Sequence, residues 1–173
     1  MTKLIVLCTE TSKSHPVDSL YIRKSLNHFY EIDNSITIKP LPFNGKGNFD
    51  KPKLLKEIRE SLKAKFDEKY VFYCVDTDRI DSRIEDVNLN NKIEDFCKQR
   101  GYKFVWFCAN VEDVFWKENI QDSEKVKMAE KFNMSNLIKN FDENFLISKN
   151  MCKHKSNLLI EFDKILKRKK NKD

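Results

Sequence analysis

Apolar residues along this chain follow two alternating patterns. Short continuous apolar runs occupy residues 3–8, 35–39, 70–75 and 102–108. Runs this short, rich in β-branched and aromatic residues, predict strands buried on both faces, as in a parallel sheet. Between them, apolar positions recur at helical spacing. Leu20, Ile22, Leu26 and Phe29 mark a helix over 16–31, with Ser14 or His15 at its start and Pro16 in its first turn. Leu54, Leu55, Ile58 and Leu62 form one stripe of a helix over 51–66. A third helix over 84–100 stops at Gly101, a residue suited to a left-handed helix end. Residues 40–52 carry three prolines with Gly45 and Gly47 and predict a loop. After residue 108 the pattern is helical to the end, over about 111–118, 123–132, 135–145 and 148–168.

The order strand, helix, strand, helix, strand, helix, strand predicts an α/β fold. Its parallel sheet of about four strands should carry helices on both faces, joined by right-handed crossovers. Residues 1–120 form the α/β core, and residues 121–173 form C-terminal helices packed on it, a single domain overall. The apolar stripe Leu158, Leu159, Phe162, Ile165 and Leu166 should dock the last helix. Lys167 to Lys172 beyond it should stay in water, leaving folding indifferent to its removal.

At 173 residues the chain is long enough for a substantial core. Its formal net charge is +6, and residues 149–173 alone hold nine basic against three acidic side chains. The excess lies in the tail, which is either a phosphate-binding segment or a solubilising end. No run is long enough to span a membrane, and Met1-Thr2-Lys3 opens no secretory leader, so a cytoplasmic location is expected. Five scattered cysteines without a C-x-x-C pair agree with that location, and Cys8, Cys74 and Cys108 read as core residues. His15, His28 and His154 show no zinc spacing with them. Three glycines in all exclude a Gly-rich dinucleotide fingerprint or a P-loop.

The candidate chemistry lies where strands end. Tyr70-Val71-Phe72-Tyr73-Cys74-Val75 runs directly into Asp76-Thr77-Asp78, the first strand is followed by Thr9-Glu10, and the last by Asn110-Val111-Glu112-Asp113. Ligands of open α/β sheets bind at the carboxyl ends of the strands, and clustered carboxylates suit a hard divalent cation. Each acid alone is equally an ordinary loop residue. Glu112 and Asp113 are alternatives for one role, and both also suit a helix N-terminus. Asp81 either supports the site or caps the next helix. Asn110 either contacts substrate or caps the helix that follows it. Lys13, Lys39 and Arg79 flank this edge as candidate phosphate contacts or plain surface cations. Tyr21 and Trp116 read as core residues rather than base-stacking ones.

Glu10, Asp18-Ser19-Leu20-Tyr21, Asp76-Thr77-Asp78 and Val111-Glu112-Asp113-Val114-Phe115-Trp116 together resemble the motifs of the Toprim superfamily. Within it, the chain is most similar to small stand-alone proteins of bacterial defence, the RloB-like, AriB-like and OLD-type abortive-infection nucleases. The resemblance covers residues 3–118. It departs from the family pattern where Thr11 replaces a glycine and where about four extra residues precede Asp18. The resemblance implies a Toprim-like, Rossmann-like core and a Mg²⁺ or Mn²⁺ site built from Glu10, Asp18, Asp76, Asp78 and Glu112. Of these, Glu10, Asp76, Asp78 and Glu112 are the expected catalytic residues; Lys13, Arg79 and Asn110 are expected substrate contacts by their place at this edge, not by the resemblance.

The leading functional expectation is therefore a metal-dependent nuclease on DNA or RNA, in phage defence, with a separate ATPase as a partner implied by resemblance only. No histidine is placed to act as a base, so a carboxylate or cation-activated water would serve. Two other classes remain: a phosphatase of the HAD type or nucleotide-sugar transferase using Asp-x-Asp, and a non-catalytic Toprim-like module binding nucleic acid or protein.

Overall fold

The computed structural model describes residues 1–78 and 82–170. Four strands, β1 (Lys3–Thr9), β2 (Ile36–Pro42), β3 (Glu68–Asp76) and β4 (Lys103–Phe107), form one sheet in the order β2-β1-β3-β4. Every pair is parallel, with Leu4 opposite Thr37 and Lys69, and Cys74 opposite Val105. Helices α1 (Val17–Phe29), α2 (Pro52–Leu62) and α3 (Ile84–Arg100) make the three crossovers. The fold is thus α/β with an all-parallel, Rossmann-like sheet, as the sequence pattern predicts.

Strand alternation divides the core into two layers. Ile5, Leu7, Phe72, Cys74, Val105 and Phe107 face α1 and the C-terminal region. Leu4, Val6, Cys8, Val71, Tyr73 and Val75 face α2 and α3. The chain leaves β1 for β2 on one side and then returns across β1 to β3. With crossovers of one hand, that reversal places α1 on one face and α2 and α3 on the other. Gly101 ends α3 at φ 68°, the left-handed conformation its position requires.

Past β4 come α4 (Val111–Trp116), α5 (Lys125–Met134), two 3₁₀ turns at Leu137–Asn140 and Glu143–Phe145, and α6 (Leu158–Phe162). They join α1 in a single apolar cluster. Tyr21 stacks on Phe115 at 5.2 Å, and Phe72 of β3 stacks on Phe162 at 4.1 Å. Tyr21 is fully buried and accepts the Trp116 indole N–H at 2.8 Å, so both are packing residues. Among the described residues, no helix is long and apolar enough to cross a membrane.

Three sequence expectations are corrected here. The strand expected over 35–39 runs on to Pro42, into the expected loop. Phe43 and Gly45 donate their N–H groups to Thr9 and Glu10 of the β1 side, so odd positions face β1. The missing N–H groups of Pro40 and Pro42 therefore point outward from an edge strand, where proline is tolerated. The helices expected over 135–145 and 148–168 shrink to two 3₁₀ turns and the five residues of α6. The backbone and side chains of Lys155 to Asn157 serve β4 instead. Asn157 accepts from the Trp106 N–H and donates to the Phe104 carbonyl, both at 2.9 Å, and Cys108 N–H donates to the Lys155 carbonyl. Covering that edge outweighs local helix propensity.

The third correction concerns the tail, of which 171–173 lie outside the described residues. Residues 167–169 are docked through their backbone, while the Lys167 and Lys169 side chains stay exposed. Glu31 N–H donates to the Lys167 carbonyl and Lys169 N–H to the Phe29 carbonyl, each at 2.9 Å. Arg168 pairs with both oxygens of Asp163, reaches Glu143 at 3.0 Å and covers the Tyr30 ring. Asp163 also accepts from the buried Tyr30 hydroxyl at 2.9 Å. Two backbone bonds and a partly exposed ion pair are together worth about 2–3 kcal/mol. Deleting 167–173 should lower the urea unfolding midpoint correspondingly, and Arg168→Ala alone should cost about 1 kcal/mol. An unchanged midpoint in the truncated protein would show that the tail is only loosely attached.

Candidate functional site

The sheet order makes β1 and β3 neighbours whose following crossovers depart in opposite directions. A crevice at the carboxyl end of such a pair is the general ligand site of open α/β sheets. Glu10 follows β1 and Asp76 ends β3, so the pair flanks that crevice. Glu10 Oε1 accepts the Asp76 N–H at 2.7 Å. Asp76 Oδ1 in turn accepts the Val111 N–H at 2.9 Å, joining β3 to the first turn of α4.

Two further acids reach the same place. Asp18 lies in the first turn of α1 and Glu112 in the first turn of α4, and both are buried. Glu10, Asp18, Asp76 and Glu112 line one cavity of about 450 Å³, together with His15, Asp122 and Lys125. Glu112 is only 2 % exposed, and its Oε2 has no hydrogen bond. The Lys125 ammonium stands 3.8 Å from that oxygen and 3.1 Å from Asp122.

Packing acids together raises their pKa values. Burial lifts Glu10 well above the ordinary carboxylate range, and the Asp76 charge adds to it, against Lys46. Burial lifts Asp18, with Glu10 and Glu112 beside it, and Asp76, with Asp18 and Glu112 beside it. Glu112 is raised by burial and partly relieved by Lys125. Burial works against the charge on Lys125, but Glu112, Asp122 and Asp76 raise its pKa overall. The cavity thus gathers the five carboxyls of Glu10, Asp18, Asp76, Glu112 and Asp122 against the one ammonium of Lys125.

Asp78 does not face this cavity. Its backbone is left-handed at φ 56°, which breaks the strand alternation that would align it with Asp76. Its carboxylate pairs with Lys46, which is buried and also donates to Asn90 Oδ1 at 3.1 Å. Asn90 donates to the Thr77 carbonyl, so this second cluster braces the loop after β3. Asp78 is therefore a partner of Lys46 rather than of Asp76.

The choice between Glu112 and Asp113 is resolved by His154, whose Nδ1 lies 2.9 Å from Asp113 Oδ2, leaving Glu112 to face the cavity. Asn110 caps α4, its side chain accepting the Asp113 N–H at 2.8 Å, and does not line the cavity. Lys13 lies 3.5 Å from Glu57 outside the acidic cavity, and Lys39 donates to Ser61 on the β2 side. Arg79 and Asp81 lie outside the described residues.

Sequence reasoning missed four neighbours. His15, expected to stand apart from any chemistry, lies in the cavity wall. Lys125 and Asp122 come from a region that matches no motif. Lys46 carried one legible signal: it sits between Gly45 and Gly47, two of the chain's three glycines. Gly45 adopts φ 103° while its N–H bonds the Glu10 carbonyl, holding the loop against the site.

Among the described residues, no three carboxylate, thiol or imidazole groups already stand at metal-ligand distances. The bonds to the Asp76 and Val111 amides turn one oxygen each of Glu10 and Asp76 toward backbone. The unbonded Glu112 oxygen and the raised pKa values still fit a hard cation, which would supply the missing positive charge. No known protein family, curated protein or solved structure matches this chain.

The raised acids have a pH signature in metal-free buffer. Their folded pKa values exceed the unfolded ones, so at neutral pH the folded state is penalised for ionising them. The penalty fades as pH falls toward the unfolded carboxyl range near ~4. His28, whose pKa burial lowers, acts oppositely below its unfolded value, while Asp33 and Asp67, held low by Ser35 and Thr2, lose stability only below the carboxyl range. The clean readout is a comparison. Asp76→Asn, which keeps the acceptor for Val111, should be more stable than wild type at pH 8 in EDTA. The two melting temperatures should converge near pH 5; parallel curves would show that the acids do not interact.

Proposed function

We propose that this protein is a Mg²⁺- or Mn²⁺-dependent phosphodiesterase acting on nucleic acid, built on a Toprim-like core. The observation that carries the reading is the convergence of Glu10, Asp18, Asp76 and Glu112 on one cavity at the β1–β3 crevice, with a buried Glu112 oxygen left unbonded. These four side chains would hold the cation. When bound, such an ion supplies charge against phosphoryl oxygens and makes water more acidic. Lys125 faces the same space and is suited to a phosphate oxygen. His15 at the wall is within the cavity and suited to proton transfer.

The split of Asp76 from Asp78 argues against chemistry that needs both acids of Asp-x-Asp on one ion, as in a nucleotide-sugar transferase, and it equally removes Asp78 from the cation site that the family resemblance implies. A second reading has its own support. Lys125 already neutralises part of the cluster, as an internal counter-ion would in a non-catalytic module. A defence role and a separate ATPase partner rest on the family resemblance, and a cytoplasmic location on scattered cysteines without a C-x-x-C pair.

Two measurements test the proposal. Millimolar Mg²⁺ or Mn²⁺ should raise the melting temperature, since a ligand at a hundredfold excess over its Kd adds about 2.7 kcal/mol. Asp76→Asn and Glu112→Gln should shrink that shift while remaining folded. Incubated with plasmid, single-stranded DNA and tRNA, the protein should cleave at least one substrate with Mn²⁺ and none with EDTA. Either variant should lower the rate by roughly a hundredfold or more, the scale of losing a cation's contribution. A stabilising shift equal in wild type and variants, with no cleavage, would favour the internally neutralised module.

A further inference from the structure

Beside the acidic cavity lies a second one, of about 650 Å³, that shares Ser12 with it. Its charge is opposite. Lys13, Lys51 and Lys53 line it against a single acid, Glu57. Its floor is apolar, formed by Pro42, Phe43 and Leu54, of which Phe43 and Leu54 are buried. A third hollow continues from it, sharing Lys13, Pro42 and Lys53 and adding Lys39 and Lys56 against Glu60. The three hollows run in sequence from the β1–β3 crevice outward along the β2 edge. Past the acidic one, the path carries five lysines and two glutamates.

We propose that this path is a binding track for single-stranded nucleic acid, leading a strand's phosphates to the acidic cavity. The assignment rests on the phosphodiesterase reading and adds the substrate class and the direction of the strand. Three features support it. The lysines are exposed and line hollows rather than a convex surface, so their charges converge on whatever occupies the path. The floor offers apolar contact through Pro42 and the exposed edges of Phe43 and Leu54 between charged walls, a combination that single-strand sites use. The track is continuous over three hollows, which suits a polymer rather than a free phosphate or a mononucleotide. The first turn of α2, which has Pro52 at its start and no side-chain cap, adds backbone N–H donors at Lys53 and Leu54.

Ion pairing within the track is weak. Lys13 and Glu57 stand 3.5 Å apart at the surface, a pair easily exchanged for phosphate. Lys39 donates to the Ser61 hydroxyl at 2.8 Å, a neutral partner that leaves its charge uncompensated.

The test uses the full chain in EDTA, so that neither cleavage nor metal binding enters. Fluorescence anisotropy is followed with a labelled twelve-nucleotide oligothymidylate over 50–200 mM salt. Wild type should bind, with log affinity falling linearly with log salt. Lys13→Gln/Lys51→Gln/Lys53→Gln should bind at least roughly tenfold more weakly at the lowest salt. Its salt slope should be smaller by about two units, at roughly 0.7 unit per lost single-strand phosphate contact. These side chains are exposed, and circular dichroism is used to check that the variant is folded. A triple glutamine variant at two other exposed surface lysines and Lys98, on the α3 side, serves as the control; here Lys92 and Lys127 complete it, and it should bind as wild type does.

Three results would overturn the track: no binding by wild type, an unchanged affinity and slope in the track variant, or an equal loss in the control variant. A blunt duplex of the same length that binds as tightly as the single strand would also overturn it. The metal reading stands or falls separately. Strand binding that is lost in the track variant, together with no cation-induced stabilisation of wild type, would keep the track and remove the metal site. Cation-induced stabilisation with no effect of the track lysines would do the reverse.

Discussion

The hydrogen bond from the Val111 amide to the Asp76 carboxylate joins the end of β3 to the first turn of α4. Around it the remaining acids are arranged. Glu10 bonds the Asp76 amide from the β1 side, so the backbone and side chain of one residue are fixed by two different elements. Because α4 is anchored there, Glu112 one residue on is carried into the cavity, and Asn110 one residue back is committed to capping. An amide donor at a short helix's start is also a partial positive charge beside a carboxylate that burial and its neighbours disfavour. Without that bond, the Asp76 carboxylate at the end of β3 and the Val111 amide at the start of α4 would each lose a partner.

Much of this arrangement is legible in the sequence, for a physical reason. Buried parallel strands need continuous apolar runs, and a continuous run makes its own end conspicuous. Glu10 and Asp76 are found because they stand where such runs stop. Asp78 shows where that reasoning fails: one left-handed backbone angle sends its side chain to Lys46, and no periodicity encodes an angle. The C-terminal region fails differently. Residues 148–157 contain helix-compatible spacing, but the open side of β4 competes for their backbone and for the Asn157 amide. Tertiary demand of that kind leaves no local signature. Lys125 and His15 are likewise invisible, since each is defined only by what the fold brings opposite it.

The two lysines that accompany the acids play unlike parts. Lys46 is buried and bound on two sides, to Asp78 and Asn90, so its charge serves the scaffold first and relieves only Glu10 of the cluster. Lys125 is partly exposed, on a helix that packs against α1, and lies no closer than 3.8 Å to Glu112. One ammonium thus fixes a loop, while the other balances the cavity incompletely. Sites that must accept a charged ligand commonly retain such imbalance at the expense of stability. The surplus carboxylate here fits that pattern better than it fits a structural ion-pair network, in which each acid would be matched.

The sheet's two outer strands are closed by different means. On β2 two of the four outward positions are Pro40 and Pro42, which have no N–H to offer a neighbour. On β4 the outward groups are engaged by Asn157 and Lys155. A parallel sheet of only four strands would otherwise present two templates for strand addition by another chain. With β4 covered and the second half of β2 lacking donors, strand addition at the β4 edge requires displacing the 155–157 segment first. The β4 cover is thereby the place where a partly opened molecule would expose a fresh strand edge and become prone to aggregate.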